Sequence, residues 1–182
     1  MKKLNTFILI YFSTMLFSLA WAGTDEELVR TLITDQAKAI ADFPRTKNKQ
    51  AVLKFFSQDY SSVTDGITSD LKDTEKMLSD FEQQINLGNP LDISNRVSNI
   101  IVHVSGVLAW ATFDNESKIS VMGKIIEEER DKCTGIYQKK GTQWIIQHEH
   151  CSTPTDKDNQ EGLTRSGADS QEFFTSKFFV RL

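Results

Sequence analysis

The sequence predicts an α+β domain in which three N-terminal helices cover one face of an antiparallel sheet. Up to Ile85, apolar residues recur at three- and four-residue spacing, the period of a helix face. Beyond Pro90 the period falls to two and β-branched residues dominate, the pattern of strands. Helices first and a run of strands afterwards is the order of an α+β fold, not the alternation that builds a parallel sheet.

The first helix begins at Thr24, whose hydroxyl caps the chain ahead of Asp25, Glu26 and Glu27. Leu28, Val29, Leu32, Ile33, Ala37, Ile40 and Ala41 form its apolar face, and Pro44 is expected to end it. A short second helix carries Val52, Leu53, Phe55 and Phe56. Tyr60 to Gly66 reads as a short strand closed by the Asp65-Gly66 turn. The third helix places Leu71, Leu78, Phe81 and Ile85 on one side, with Gly88 as its cap and Pro90 beyond. Four strands follow: Val97 to Val104, Val107 to Phe113, Ile125 to Gln138, and Trp144 to Ser152 after a turn at residues 140–143.

The ends read differently from this middle. Lys2 and Lys3, an apolar run from Phe7 to Leu19, and Ala20-Trp21-Ala22 make the three parts of a secretory signal peptide cleaved after Ala22. The run is short for a membrane span of about 20 apolar residues. The expected organisation is therefore a signal peptide at 1–22, an α+β domain at 23–153, and at 154–182 a polar linker leading to a Phe-rich tail. That tail carries Phe173, Phe174, Phe178 and Phe179 and is expected to dock loosely on the domain. The destination is the periplasm or the medium, with no stable membrane span after cleavage.

The chain has 21 basic and 25 acidic residues, a net charge of −4 that becomes −6 once Lys2 and Lys3 are removed. Without a basic cluster it lacks the surface that neutralises phosphates, which excludes nucleic acid as a partner. In an oxidising compartment the two cysteines, Cys133 and Cys151, are expected to form one disulfide.

The hairpin Thr134-Gly135-Ile136-Tyr137 through Trp144-Ile145-Ile146-Gln147-His148-Glu149-His150-Cys151-Ser152 resembles the closing strands of the nuclear-transport-factor-2-like superfamily. Its Trp followed by His-x-His-x-Ser is similar to SnoaL-like proteins and to the association domain of calcium/calmodulin-dependent protein kinase II. Ile101 to Gly106 and Tyr60 to Gly66 resemble two further segments of that superfamily. The resemblance implies a cone, in which a strongly bent sheet wraps a long helix and a pocket opens at the wide end. Members include isomerases, dehydratases, epoxide hydrolases and cyclases, and also non-catalytic binding or assembly modules, so the fold alone does not choose among them.

Strand parity then proposes a site. Counted from Trp144, residues Ile146, His148, His150 and Ser152 share one face, which should be the concave one. His148 and His150 are thus expected on the pocket floor, with Thr134 opposite and Arg130 on the same parity as Thr134. Asp65 and Tyr60 are the nearest candidates for the base and donor that the isomerase branch would require. The catalytic candidates are His148, His150, Asp65 and Tyr60; the ligand-binding candidates are His148, His150, Thr134, Arg130 and Tyr60. His103 lies three strand steps from the last strand, roughly 14 Å away, too far to join His148 and His150 around a metal ion. No cofactor motif is present, so neither a cofactor nor a metal is expected. With Thr134 placed inward by the resemblance, Cys133 and Cys151 both count as outward-facing. A three-residue loop at residues 141–143 would bring them opposite each other; a four-residue loop would shift the register by one and spoil the match unless a bulge restores it.

The expected function is that of an exported, non-enzymatic small-ligand-binding or self-assembly module, forming a homodimer or higher homo-oligomer and taking a small apolar ligand. The rival is a small-molecule isomerase, dehydratase or hydrolase working through the pocket His, Asp and Tyr side chains.

Overall fold

The computed structural model describes residues 23–154; the expected signal peptide and nearly all of the linker and tail lie outside them. Helix α1 spans Asp25–Thr46, α2 spans Lys49–Leu53, and α3 spans Leu71–Asn86. The strands are β1 (Phe56–Thr64), β2 (Ile67–Asp70), β3 (Leu91–Ser105), β4 (Leu108–Val121), β5 (Lys124–Lys140) and β6 (Gln143–Ser152). They form one sheet in the order β2-β1-β6-β5-β4-β3. Every neighbouring pair is antiparallel except β1 with β6, which run parallel. This is the expected α+β architecture: helices against one face of a curved, mainly antiparallel sheet.

Local chemistry sets the ends of the helices. The Thr24 hydroxyl accepts from the Glu27 amide, as the sequence predicts. At α3 the Asp70 carboxylate accepts from the Lys72 and Asp73 amides while Asp73 accepts from the Asp70 amide, a reciprocal capping box. Pro44 does not end α1; the helix runs two residues further, to a left-handed cap at Lys47. A proline so near the C-terminus removes one bond of a turn that is already finishing.

The sheet holds one strand the sequence reading lacks. After the Asp65-Gly66 turn the chain returns as β2, four residues pairing with β1. The long strands also begin earlier and end later than their apolar cores, because β3, β4 and β5 carry charged residues beyond the edge of the helices. Bulges interrupt the pairing between Ser98 and Ile101, at Ile119/Ser120, and opposite Ile136/Tyr137. Each adds local bend and twist. At the first, Asn99 adopts φ 54° and the Arg30 guanidinium of α1 donates to the Ile100 carbonyl, tying the helix to the bend.

The core lies between α1, α3 and the inner face of the sheet. Val29, Ile33, Ile40 and Phe43 of α1 and Leu78 of α3 meet Ala109, Ala111, Tyr137, Trp144 and Ile146, all essentially buried. The Trp144 indole donates to Asp25 at 3.1 Å, and Lys139 Nζ lies 2.6 Å from the same oxygen. The start of α1 is thereby fastened across the last hairpin.

Candidate functional site

The third bulge decides which side chains reach the interior. In β6, Trp144 and Ile146 point inward and pair opposite Lys139 and Tyr137. Gln147 is then the extra residue, since Tyr137 faces Ile146 whereas Ile136 faces His148. One inserted residue exchanges the faces in a pattern of period two. Beyond it, Glu149 and Cys151 turn inward, and His148 and His150 turn outward.

The expected histidine floor is therefore corrected. His148 lies on the outer face, its Nδ1 2.9 Å from Ser61 Oγ on β1. His150 sits opposite Thr134, and both line a shallow outer groove with Asn99, Ile101, Thr112 and Lys132. Thr134 and Arg130 are exposed on that face, because Asp131, Cys133, Gly135 and Tyr137 take the inner positions of β5. Asp65 does not line the inner cavity. At φ 48° it forms the turn and accepts from the Thr153 amide at 2.9 Å, fixing the end of β6. Of the proposed residues Tyr60 alone points into the interior, where it is 4% exposed.

Cys133 and Cys151 form the expected disulfide, but on the inner face. The turn is shorter than expected: Lys140 pairs with Gln143, leaving Gly141 and Thr142 as a two-residue connection. That register alone would misalign the cysteines by one position, and the bulge at Gln147 restores the match.

A narrow cavity of about 50 Å³ opens between α1, α3 and the inner face. Ile40, Phe81, Ile93, Phe113 and Ile119 give it apolar walls. Asn95, Asn115, Ser62, Thr64 and the disulfide lie among them, and Glu127, Glu129 and Glu149 supply carboxyls. Glu149 is half-buried and lines the cavity. Tyr60 donates to Glu149 Oε2 at 2.9 Å. Burial pushes the Glu149 carboxyl up to about 7, with the Tyr60 bond working partly against the rise. Burial, and then the charge of Glu149, hold the phenols of Tyr60 and Tyr137 well above their ordinary value, so both stay protonated donors. The Tyr137 hydroxyl is buried and has no hydrogen-bond partner among the described residues.

At about 50 Å³ the cavity admits a water-sized guest, with which the Glu149 carboxyl can exchange a proton. A carboxyl that titrates near neutrality is populated in both forms, as a general acid or base must be. Among the described residues, no group of three or more His, Cys, Asp or Glu is placed to hold a metal ion. Sequence parity missed Glu149 because it was counted from Trp144 across the bulge. A usable signal lay in β5: Tyr137, Gly135 and Cys133 suit an interior, whereas Gln138, Thr134 and Lys132 do not. Counting inward from Cys133 and pairing it with Cys151 would have turned Glu149 inward as well.

Comparison with known proteins agrees with this architecture. No curated protein matches the sequence. Among solved structures, an NTF2-like protein from Pseudomonas putida is 21% identical, covers 78% of this chain and 95% of that one, and superposes with a TM-score of 0.51. A candidate calcium/calmodulin-dependent kinase II association domain from Exiguobacterium sibiricum is 13% identical over 73% of this chain and 95% of that one, with a TM-score of 0.55. A candidate scytalone dehydratase from Novosphingobium aromaticivorans is 12% identical over 71% and 83%, with a TM-score of 0.56. Identities this low establish the shared fold alone. The model of the SnoaL-like domain matches residues 29–156, nearly the whole of the domain just described. The chain belongs to the SnoaL-like domain family.

Proposed function

We propose that the protein is an exported small-ligand-binding protein whose site is the cavity above Glu149. The observation that carries this reading is the Glu149 carboxyl, which accepts from Tyr60 and lines a cavity with apolar walls. The cavity of about 50 Å³ has to widen to take more than a water-sized guest, and its lining favours a small, largely apolar molecule with one polar group that reaches the carboxyl. A thermal-shift screen of small cyclic ketones, alcohols and amines tests it at pH 6 and pH 8. Compounds that stabilise the wild-type chain should lose their effect in Glu149→Gln. A screen in which no compound distinguishes the two proteins would refute the reading.

The pKa of Glu149 favours a second reading, proton transfer in an isomerase or dehydratase. Glu149 would take a proton next to a carbonyl while a side-chain N–H of Asn95 or Asn115 on the cavity wall donates to the developing oxyanion. Deuterium uptake by a cyclic ketone in D₂O tests this directly. Uptake that requires Glu149 supports catalysis; equal uptake with Glu149→Gln leaves ligand binding without chemistry.

The outer face suits self-association. His103, Trp110, Ile136 and His148 form one cross-strand row, with the His103 and Trp110 rings stacked at 5.1 Å. Trp110, Ile136 and Ile101 are each more than 40% exposed, an unusual apolar load for a sheet surface. Export rests on residues 1–22 and is consistent with a disulfide, which persists in oxidising compartments. Intact-mass measurement of the exported protein should give Gly23 as the N-terminus, and a mass retaining residues 1–22 would overturn it.

A further inference from the structure

The turn between β4 and β5 is Met122-Gly123, closed by the pairing of Val121 with Lys124. Both turn residues have positive φ, 53° and 75°. That geometry favours Asn or Asp ahead of Gly, because a bulky side chain strains the left-handed backbone. The chain uses the favoured residue in the turn Asp65-Gly66, at φ 48° and 84°. At Met122 it places a long apolar side chain instead, and burial does not offset the strain, since Met122 is 71% exposed. The Met122 amide donates to the Pro90 carbonyl at 2.8 Å, which ties this turn to the segment that follows α3. Leu87, at the end of α3, is 67% exposed, and Ile125, just past the turn, 46%. Residues 85–91 and 119–126 together hold a single charged side chain, Lys124, in a chain of which 25% is charged. Charge resumes behind them at Asp92, Lys118 and Glu127.

We propose that this end of the sheet docks on a lipid bilayer, with Leu87, Met122 and Ile125 entering the boundary between headgroups and acyl chains. Three observations point to this occupant. Three apolar side chains on two chain reversals fall far short of the roughly 20–30 residues a side that a stable protein interface needs, whereas a bilayer accepts separate apolar tips without a complementary surface. The row of Asp92 and Ser120 lies two residues behind Met122, roughly 7 Å along the strand, so charge returns at about the depth that peripheral apolar segments reach. Lys124 can run its stem along the apolar layer and keep its ammonium at the headgroups. The tip is also no extension of the outer apolar row: Trp110 lies 11 residues back along β4 from Val121, roughly 37 Å. The chain is acidic, so insertion of apolar groups, not attraction to anionic lipid, holds the contact. This inference goes beyond ligand binding and does not rest on it, because the cavity takes no part in the docking.

Vesicles of phosphatidylethanolamine and phosphatidylglycerol test it, with protein purified after export so that residues 1–22 do not contribute. The two cysteines of the chain are joined in the disulfide, so Met122→Cys offers one thiol for an environment-sensitive fluorophore. That label should brighten and shift to the blue on adding vesicles. The same label on Thr142→Cys, at the far end of β5, should emit as in water. In flotation with unlabelled protein, Leu87→Asn/Met122→Asn should lower binding at least about tenfold, because two apolar side chains no longer leave water. Asn suits the turn better than Met, so this variant should melt no lower than wild type and its loss of binding reports the tip. Binding of the wild type should survive high salt. A label at residue 122 that ignores vesicles, or one at residue 142 that responds equally, would overturn the proposal. So would binding that the double variant retains, which places the contact elsewhere, binding lost in high salt, which assigns it to charge, or a blue shift at residue 122 that needs only more protein, which assigns the tip to a second copy.

Discussion

Glu149 is the residue on which the interior chemistry turns, and its pKa makes a statement about stability. Its folded value of about 7 lies above the ordinary 4.5, so the folded state holds a proton that the unfolded state has released. Stability from this group is fully present below pH ~4.5 and is lost as pH rises through about 7. The displacement corresponds to a loss of up to about 3 kcal/mol. Glu149→Gln should remove that slope and leave the protein more stable than wild type at pH 8, measured by urea denaturation across pH 4–8. Identical pH profiles would show that the carboxyl is not held in a low-dielectric site. Asp25 works in the opposite sense: its hydrogen bonds from Lys139 and Trp144 lower its pKa, so its contribution is present above pH ~4 and lost in acid. Gly135 is a second demand at this scale. A Cβ there would lie 2.1 Å from the Tyr137 hydroxyl and 2.6 Å from Cζ, and Tyr137 is fully buried. Gly135→Ala should cost about 2–3 kcal/mol in the same denaturation assay, beyond the range of an ordinary exposed strand substitution.

At the level of elements, the last hairpin shows how a local irregularity sets which side chains face inward. The two-residue turn at Gly141-Thr142 and the extra residue Gln147 offset each other, so Cys133 and Cys151 meet with a Cα separation of 4.1 Å. The bridge closes a loop of 18 positions, worth about 3 kcal/mol on chain-entropy grounds. Cys133→Ala/Cys151→Ala should lower stability by about 2–4 kcal/mol, and thiol titration of the denatured, unreduced wild type should find no free thiol within residues 23–154. Deleting Gln147 should preserve the disulfide, because Ile136 then still faces His148 in an unbroken ladder. Inserting an alanine between Glu149 and His150 should instead turn Cys151 outward and leave two titratable thiols. The element order and most strand cores were legible because burial against helices imposes a period of two. Strand β2 was not: its four residues, Ile67-Thr68-Ser69-Asp70, are mostly polar and exposed, and pairing with β1 alone makes them a strand.

Across the whole molecule, the two faces of the sheet differ in what they present. Its inner face carries the cavity, and its outer face carries the apolar row centred on Trp110 and Ile136. Trp110→Lys/Ile136→Lys should convert an associating protein to a monomer by light scattering without shifting the Glu149 pH profile, since the two sites lie on opposite faces. A wild-type chain that is monomeric at all concentrations would remove the assembly role from this face.

Composition and periodicity alone determined the α+β class, the three helices, the four long strands and the pairing of the two cysteines. Those features follow from which residues repel water and at what spacing, information that each segment carries by itself. The inward identity of Glu149 and the outward placement of His148, His150, Thr134 and Arg130 were decided by the tertiary structure. A bulge is fixed by the match between two strands: the turn at Gly141-Thr142 and the pairing of β6 with both β5 and β1 select the extra residue at Gln147. No single strand encodes that choice, and in a period of two it exchanges every face beyond it.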